Sequence, residues 1–481
     1  MSNFSVHPAS NSLWSRRQLL KMAGGCGAMS SAPMLSTIFN MSLMKSIASA
    51  QAPVNDFKAL VCVFLDGGND AYNMLYPADA TPYNDYVTVR GVDVAKPLNP
   101  STQITGYTNR LFNLHPGMEG VKSMYDSGKL AVVNNIGSLV RNATTTSNYN
   151  QTAYQPKGLF SHSDEQRNWQ TGVPGDRTRA IGWAGRIADL MRDTANQNAS
   201  VAMGIALDSL NIFQTGITTF PYVITTGGAG GAQSVQLSGY NGTSSIDRIY
   251  TRATNSALET EARGLLVRSF SRARRDAIDT AVGFNQAVAN VTFTTTFPTS
   301  SLGTRLKAVA ATIASAPALG QNRQIFFVST GGWDNHDDLV AAHNNLLPNL
   351  SNSLKAFHDA LVEKGLLNDV MCFTASDFCR TLTINGDGSD HAWGSHQFVF
   401  GGAVNGGQMY GDYPQSLISP VAQAKNLDVG RGRLIPTTSV DEYAAEMALW
   451  FGIPSGQLLD IFPNLNEFYT PGGGKPIGFT T

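Results

Sequence analysis

Charge is scarce in this chain. Only 14% of its 481 residues are Asp, Glu, Lys or Arg, against about a quarter in typical soluble domains. The 34 basic and 35 acidic residues nearly cancel, which leaves no electrostatic footprint for nucleic acid. Cysteine is scarcer still, at 4 residues. Cys26 falls in the leading segment, and Cys62, Cys372 and Cys379 make neither a disulfide framework nor a thiolate-spaced zinc motif. Cys62 and Cys372 sit inside apolar runs and read as buried, inert thiols, with one bridge open to them if their strands are neighbours. The chain also lacks a G-x-S-x-G elbow, a Walker loop, a dinucleotide-binding fingerprint and any internal repeat, which removes the usual signatures of several enzyme classes.

Acidic residues are wholly absent from residues 1–50. That segment carries "SRRQLLK" (Ser15–Lys21), then a Gly/Ala/Met-rich apolar stretch, then "SIASAQA" with Ala48 and Ala50 in A-x-A spacing. These features are those of a twin-arginine export signal. An amphipathic helix would need acids to balance its arginines. Glycines interrupt the apolar stretch, so no membrane span is expected, and Cys26 follows the arginines too soon for lipid attachment. The expected organisation is a signal over 1–50 and one α/β domain over 51–481, with an insertion at about 206–303. Removing Arg16, Arg17, Lys21 and Lys45 from the 34 basic residues leaves 30 against 35 acidic ones, a net charge of −5. The expected location is periplasmic or extracellular, with the twin-arginine translocase as the partner in export. That route carries folded proteins, and one reason to fold first is to acquire a metal in the cytoplasm.

Short apolar runs punctuate the remainder. They are "ALVCVFLDGGND" (59–70), "KLAVVNNIGS" (129–138), "QIFFVSTGGWDNH" (324–336), "DVMCFTASDF" (369–378) and "HQFVFGGAVNGG" (396–407). Each reads as a strand buried on both faces of a mostly parallel sheet. Between them, 338–364 shows an apolar face at three-to-four spacing, which Pro348 should kink or break. Residues 247–290 predict one or two long helices, and 440–453 a late amphipathic one. Residues 141–157, 214–246 and 291–303 read as loops. Strand alternating with helix predicts an α/β/α sandwich. In such sheets ligands bind beyond the carboxyl ends of the strands, where this sequence places its acids.

Asp66 ends the first run and precedes Gly67 and Gly68. It reads either as a metal ligand or as a turn cap. Asp334 and His336 stand two apart, so in extended chain both point the same way toward one ion; the alternative is Asp334 as N-cap of the helix near Asp338. Asp377 ends another buried run, where an unpaired carboxylate is costly. Arg380 is either its ion-pair partner or a bidentate holder of a substrate oxyanion. "DGSDHAWGSHQ" (387–397) adds Asp390, His391 and His396. His115, His343 and His358 read as structural, the last exposed. "GLFSHSDEQRNW" (158–169) offers Ser161 and Ser163 at a helix start. There Ser161 is a nucleophile in a field that favours an oxyanion, or simply the cap, and His162 could assist as acid or base. Oxygen plus imidazole ligands suit Zn, Mn or Fe, with Mg or Ca at an all-oxygen position.

Together, "FLDGGNDAYNML", "FSHSDEQRNWQTG", "GWAGRIAD", "STGGWDNHDD", "TASDFCRT" and "GSDHAWGSHQFVFGGAVNGGQMYGDYP" resemble an exported bacterial family, the domain of unknown function 1501. That family is grouped with the alkaline phosphatase and sulfatase superfamily. The resemblance implies one or two divalent ions (Zn, Mn, Ca or Mg) at the sheet rim and hydrolysis of phosphate or sulfate esters, in small molecules or glycans. It also implies roles: Asp66, Asp334, His336, Asp377 and His391 as metal ligands, Ser161 as nucleophile, Asn69 and Arg380 as holders of the ester. The pattern departs from the phosphatases in two places. Only Asn335 separates Asp334 from His336, and Phe378 stands where a His would follow Asp377. Either Asp390–His391 supplies that pair, or one metal position is lost. The other reading is a cell-envelope binding or scaffold protein on the same fold.

Overall fold

A computed structural model describes residues 54–196, 198, 200–228, 230–235, 240–259, 265–418 and 427–481. The twin-arginine stretch lies outside the described residues. All five apolar runs are strands of one sheet. In chain order the sheet contains β1 (Lys58–Leu65), β2 (Leu130–Gly137), β3 (Gly204–Leu207), β4 (Tyr222–Thr226), β5 (Ala232–Ser234), β6 (Arg323–Thr330), β7 (Val370–Ser376), β8 (Ser395–Gly401), β9 (Met409–Tyr410) and β10 (Thr438–Ser439). The spatial order is β9-β2-β8-β7-β1-β6-β3-β4-β5, with β10 also on β2.

Most pairings are parallel, as expected. The departures are β5, antiparallel to β4 at the sheet edge, and β8, antiparallel to both β7 and β2. The chain returns to the sheet through a hairpin, Arg380–Asn385 with Gly388–His391, which reverses its direction without a helical crossover.

Alternation along β1 builds the layers. Val61, Val63 and Leu65 join a core with Leu347, Leu350 and Leu354 of helix Leu339–Glu363. Cys62 and Phe64 face the opposite way, toward Trp183, Tyr443 and Met447. Helices therefore cover both faces, giving three layers. Each such side chain, fully buried, contributes on the order of 1.5–3 kcal/mol. The same alternation settles the thiols. Cys372 pairs in register with Val61, and Cys62 with Phe373. The two cysteines point to opposite faces of adjacent strands, and both are buried and free.

Several expectations need correction. Helix Leu339–Glu363 runs unbroken through Pro348, whose ring packs beside Gly117. The stretch 214–246, expected as loop, supplies β4 and β5 at one sheet edge. A small sheet of Leu75–Pro77, Gln103–Thr105 and Leu111–Leu114 comes from segments too short for a periodic signal. Residues 247–290, as expected, carry two helices, Ser245–Glu259 and Leu265–Ala289. His358 is buried, not exposed. Among the described residues no helix is long and apolar enough to cross a membrane.

Register positions the site. Leu65 of β1 lies opposite Ser376 of β7 on one side and Thr330 of β6 on the other. Three parallel strands thus finish level, and Asp66, Asp377 and the loop after Thr330 share one rim.

Candidate metal centre

Glycine permits two close approaches that draw the rim together. Gly67 has φ +124°, and a Cβ there would stand 2.5 Å from the Asp334 backbone nitrogen. Gly388, in the hairpin, would place a Cβ 2.1 Å from the His336 carbonyl carbon. Any side chain at either position pushes the Asp334–His336 loop away from β1 or from the hairpin that carries His391.

Three imidazoles meet above the strand ends. His391 Nε2 lies 2.9 Å from His336 Nε2 and 3.1 Å from His162 Nε2. Asp334 joins them, with Oδ1 3.2 Å from His336 Nε2 and Oδ2 3.4 Å from His162 Nε2. The ligand atoms of His162, Asp334 and His391 all fall within 4.8 Å of one another. The cluster is open: the side chains of Asp334 and His336 are 47% and 45% exposed.

The far nitrogen of each ring is anchored. His391 Nδ1 donates to the Phe160 carbonyl at 2.8 Å. His162 Nδ1 donates to Asp377 Oδ2 at 2.7 Å, and His336 Nδ1 to Asp390 Oδ1 at 3.2 Å. Asp390 is itself held by Asn385 and Arg431. With each proton on Nδ1, each Nε2 presents a lone pair inward. Three lone pairs and a carboxylate facing one another repel unless something positive lies between them. Outer acceptors that fix tautomer and orientation are what a metal-ligating histidine requires. Ligands at Zn–N distances of about 2.0–2.1 Å would stand about 3.3 Å apart; His162, Asp334 and His391 approach that spacing as one set, while His336 adjoins His391 and Asp334 but stands outside that set. His162, Asp334 and His391 could together hold a metal ion.

Electrostatics agree. Burial acts to raise the Asp334 carboxyl, but the Arg380 hydrogen bond and charge, with His162 and His336, hold it below the usual range. The bond to Asp377 raises the His162 imidazole against the effect of burial. Burial lowers His391 and keeps its ring neutral.

Asp334, His336 and His391 come together at the rim. Asp334 is not the cap of the following helix, which begins at Leu339 after Asp338. Asp66 and Asp377 stand to one side, joined by Gln166, whose Nε2 donates to Asp66 Oδ1 at 2.6 Å and to Asp377 Oδ2 at 3.1 Å. Burial, and next the Asp377 charge, raise the Asp66 carboxyl.

Two assignments are corrected. Arg380 is fully buried and donates to the carbonyls of Gly67, Gly68, Trp333 and Ser389 and to Asp334. It ties the rim together from a fully buried position, closed to an ester, and its ion pair is with Asp334, not Asp377. Asn69 is also buried, its amide donating to Met74 Sδ and its backbone N–H to Ser376 Oγ. It faces the interior, not a substrate.

Ser161 occupies the N-cap position of helix His162–Thr171 without making the capping bond. Its Oγ meets only Ser163 Oγ, at 3.5 Å. The residue brought to the cluster is its neighbour His162. Phe160, just before, has a left-handed φ of 70°, an outlier for a bulky residue, and its carbonyl anchors His391. In the sequence His162 reads only as an acid or base assisting Ser161, and Gln166 is not singled out. Their spacing of four, which puts both on one helix face, was the available signal.

Residues 246–440 match the family described as "Protein of unknown function (DUF1501)", the family the motifs resemble. No curated protein matches the chain in sequence. Solved structures similar to it include Ps i-CgsB in complex with k-i-k-neocarrahexaose, at 10% identity, 88% of this chain, 78% of that chain and TM-score 0.32. PsFucS1 sulfatase from Pseudoalteromonas sp. is similar at 10% identity, 78% of this chain, 67% of that chain and TM-score 0.27. The alkaline phosphatase from the Antarctic bacterium TAB5 is similar at 9% identity, 73% of this chain, 92% of that chain and TM-score 0.25.

Proposed function

We propose that this protein is a metal-dependent hydrolase of phosphate or sulfate esters that works outside the cytoplasm after twin-arginine export. The observation that carries the proposal is the convergence of His162, Asp334 and His391, with His336 beside the last two and the Nδ1 of every ring anchored. These four residues would hold the cation. When bound, a divalent cation supplies positive charge that neutralises an ester oxyanion.

The chain's own residues would do the rest. Ser161 Oγ is uncommitted to a cap and adjoins a ligand in sequence. The N-terminus of its helix favours an anionic group beside it. Ser161 Oγ would attack the phosphorus or sulfur atom, forming the serine ester as the bond to the leaving alcohol breaks. Water would then release the anion and restore the serine. Asp66, half-buried and with its carboxyl raised by burial, would exchange the proton. Asp377 and Asp390 would orient His162 and His336, and Arg380 would hold Asp334.

The test uses protein purified from the exporting host. Bound zinc or another transition metal is measured, then turnover of aryl phosphate and aryl sulfate. Metal-dependent turnover that Ser161→Ala lowers at least 100-fold, with metal content unchanged, is the expected result. A fully loaded protein that turns over neither ester would instead be a binding or scaffold protein of the cell envelope, and the hydrolase proposal would fall.

A further inference from the structure

Beside the imidazoles, Asp66 and Asp377 form a second acidic pair at the ends of adjacent parallel strands. What lies between them is an amide. Gln166 Nε2 donates to Asp66 Oδ1 at 2.6 Å and to Asp377 Oδ2 at 3.1 Å. An amide nitrogen carries two hydrogens, and each is used. Turning the amide over would set its carbonyl oxygen against two carboxylates, so charge dictates this orientation. Asp377 is further committed: Oδ1 accepts from the Gly67 N–H at 3.2 Å, and Oδ2 also accepts from His162 Nδ1. The next residue, Phe378, brings no ligand. Its ring packs against those of His162 and His391, with centroids 4.8 and 4.5 Å away.

We infer that this chain holds a single cation, and that the Gln166 amide takes the place a second one would need between Asp66 and Asp377. The inference rests on the cation proposed above and sets its number. Two N–H groups satisfy two carboxylates without dehydrating an ion, and they leave Asp377 fixed as the acceptor for His162. Gln166 is thus a positioning residue. It stands one helical turn beyond His162 on the same helix and holds the carboxylate that aims that ring.

The experiment counts ions. Purified full-length protein is dialysed against zinc, freed of excess by gel filtration, and analysed for metal. One zinc per chain is expected in the wild type, unchanged in Asp66→Asn and lost in His391→Ala. Gln166→Glu, nearly isosteric, replaces the donor by a third carboxylate. It is expected to gain a second zinc, which Asp66→Asn on the same chain removes again. Two zinc ions per wild-type chain, one of them lost in Asp66→Asn, would overturn this inference and leave the cation proposal standing. No zinc in the wild type would overturn both. Should Gln166→Glu fail to fold, the wild type and Asp66→Asn still decide.

Discussion

Histidine plays two opposite parts in this molecule. On the rim, His162, His336 and His391 each anchor one nitrogen on an acceptor and turn the other toward a neighbouring ring of the cluster. In the interior, His343 leaves both ring nitrogens without a partner, and His396 leaves Nε2 without one. His396 accepts from the Asn135 N–H and stacks on Tyr413; His343 lies edge-on to Trp333. Burial pushes both of these rings down to about 3, so they stay neutral and act as flat apolar filler. His336 and His343 are only seven residues apart. What separates a ligand from filler is the partner of the second nitrogen and an opening for the first, and neither is a property of the residue type.

The contrast can be broken at several points. The largest effect is expected from His391→Ala, which removes the central ring of the cluster. Zinc affinity should fall by more than the roughly 10–100-fold typical of losing an outer partner, measured by competition with a chromophoric chelator. An unchanged affinity would detach the rim from metal binding.

A second effect comes from the inner face of the helix that carries His162. Glu165 is buried, and burial pushes its carboxyl up to about 8, against a bond from Ser138. The native state therefore binds this proton more tightly than the unfolded chain. Its contribution to stability is full below the ordinary value near 4.5 and is lost as pH rises through about 8. Glu165→Gln should remove that slope and gain on the order of a few kcal/mol relative to wild type at pH 9, read by urea denaturation at several pH values. Parallel pH profiles for the two proteins would rule this out.

A smaller change is expected from Asp390→Asn. It keeps the shape but weakens the acceptor that orients His336, and should cost zinc affinity about 10–100-fold. His343→Leu should do least. It replaces filler with filler, so zinc content should be unaltered and stability should move by less than about 1.5 kcal/mol. A loss of zinc in that variant would erase the distinction between rim and interior.

How much of this could be read beforehand differs from residue to residue. The strands ending at Leu65, Thr330 and Ser376 were visible as apolar runs that stop at small or polar residues, because a doubly buried strand leaves that trace locally. Asp334, His336 and His391 were visible as acids and imidazoles just past such ends. His162 was not chosen over Ser161, since a helix start with two serines already has a sufficient local explanation. Arg380 was read as reaching for a substrate or for Asp377. Its actual partners, Gly67, Gly68, Trp333, Asp334 and Ser389, lie on three separate segments.

By itself, then, the sequence determined the five apolar strands, that their ends carry carboxylates and imidazoles, and that the opening segment has the form of an export signal. Only the tertiary structure decided which imidazoles meet, which carboxylate is bridged by an amide, and which arginine is sealed inside. Periodicity is a short-range property of the chain. The contact between His162 and His391 joins residues 229 positions apart, and nothing shorter than the assembled sheet brings them within reach.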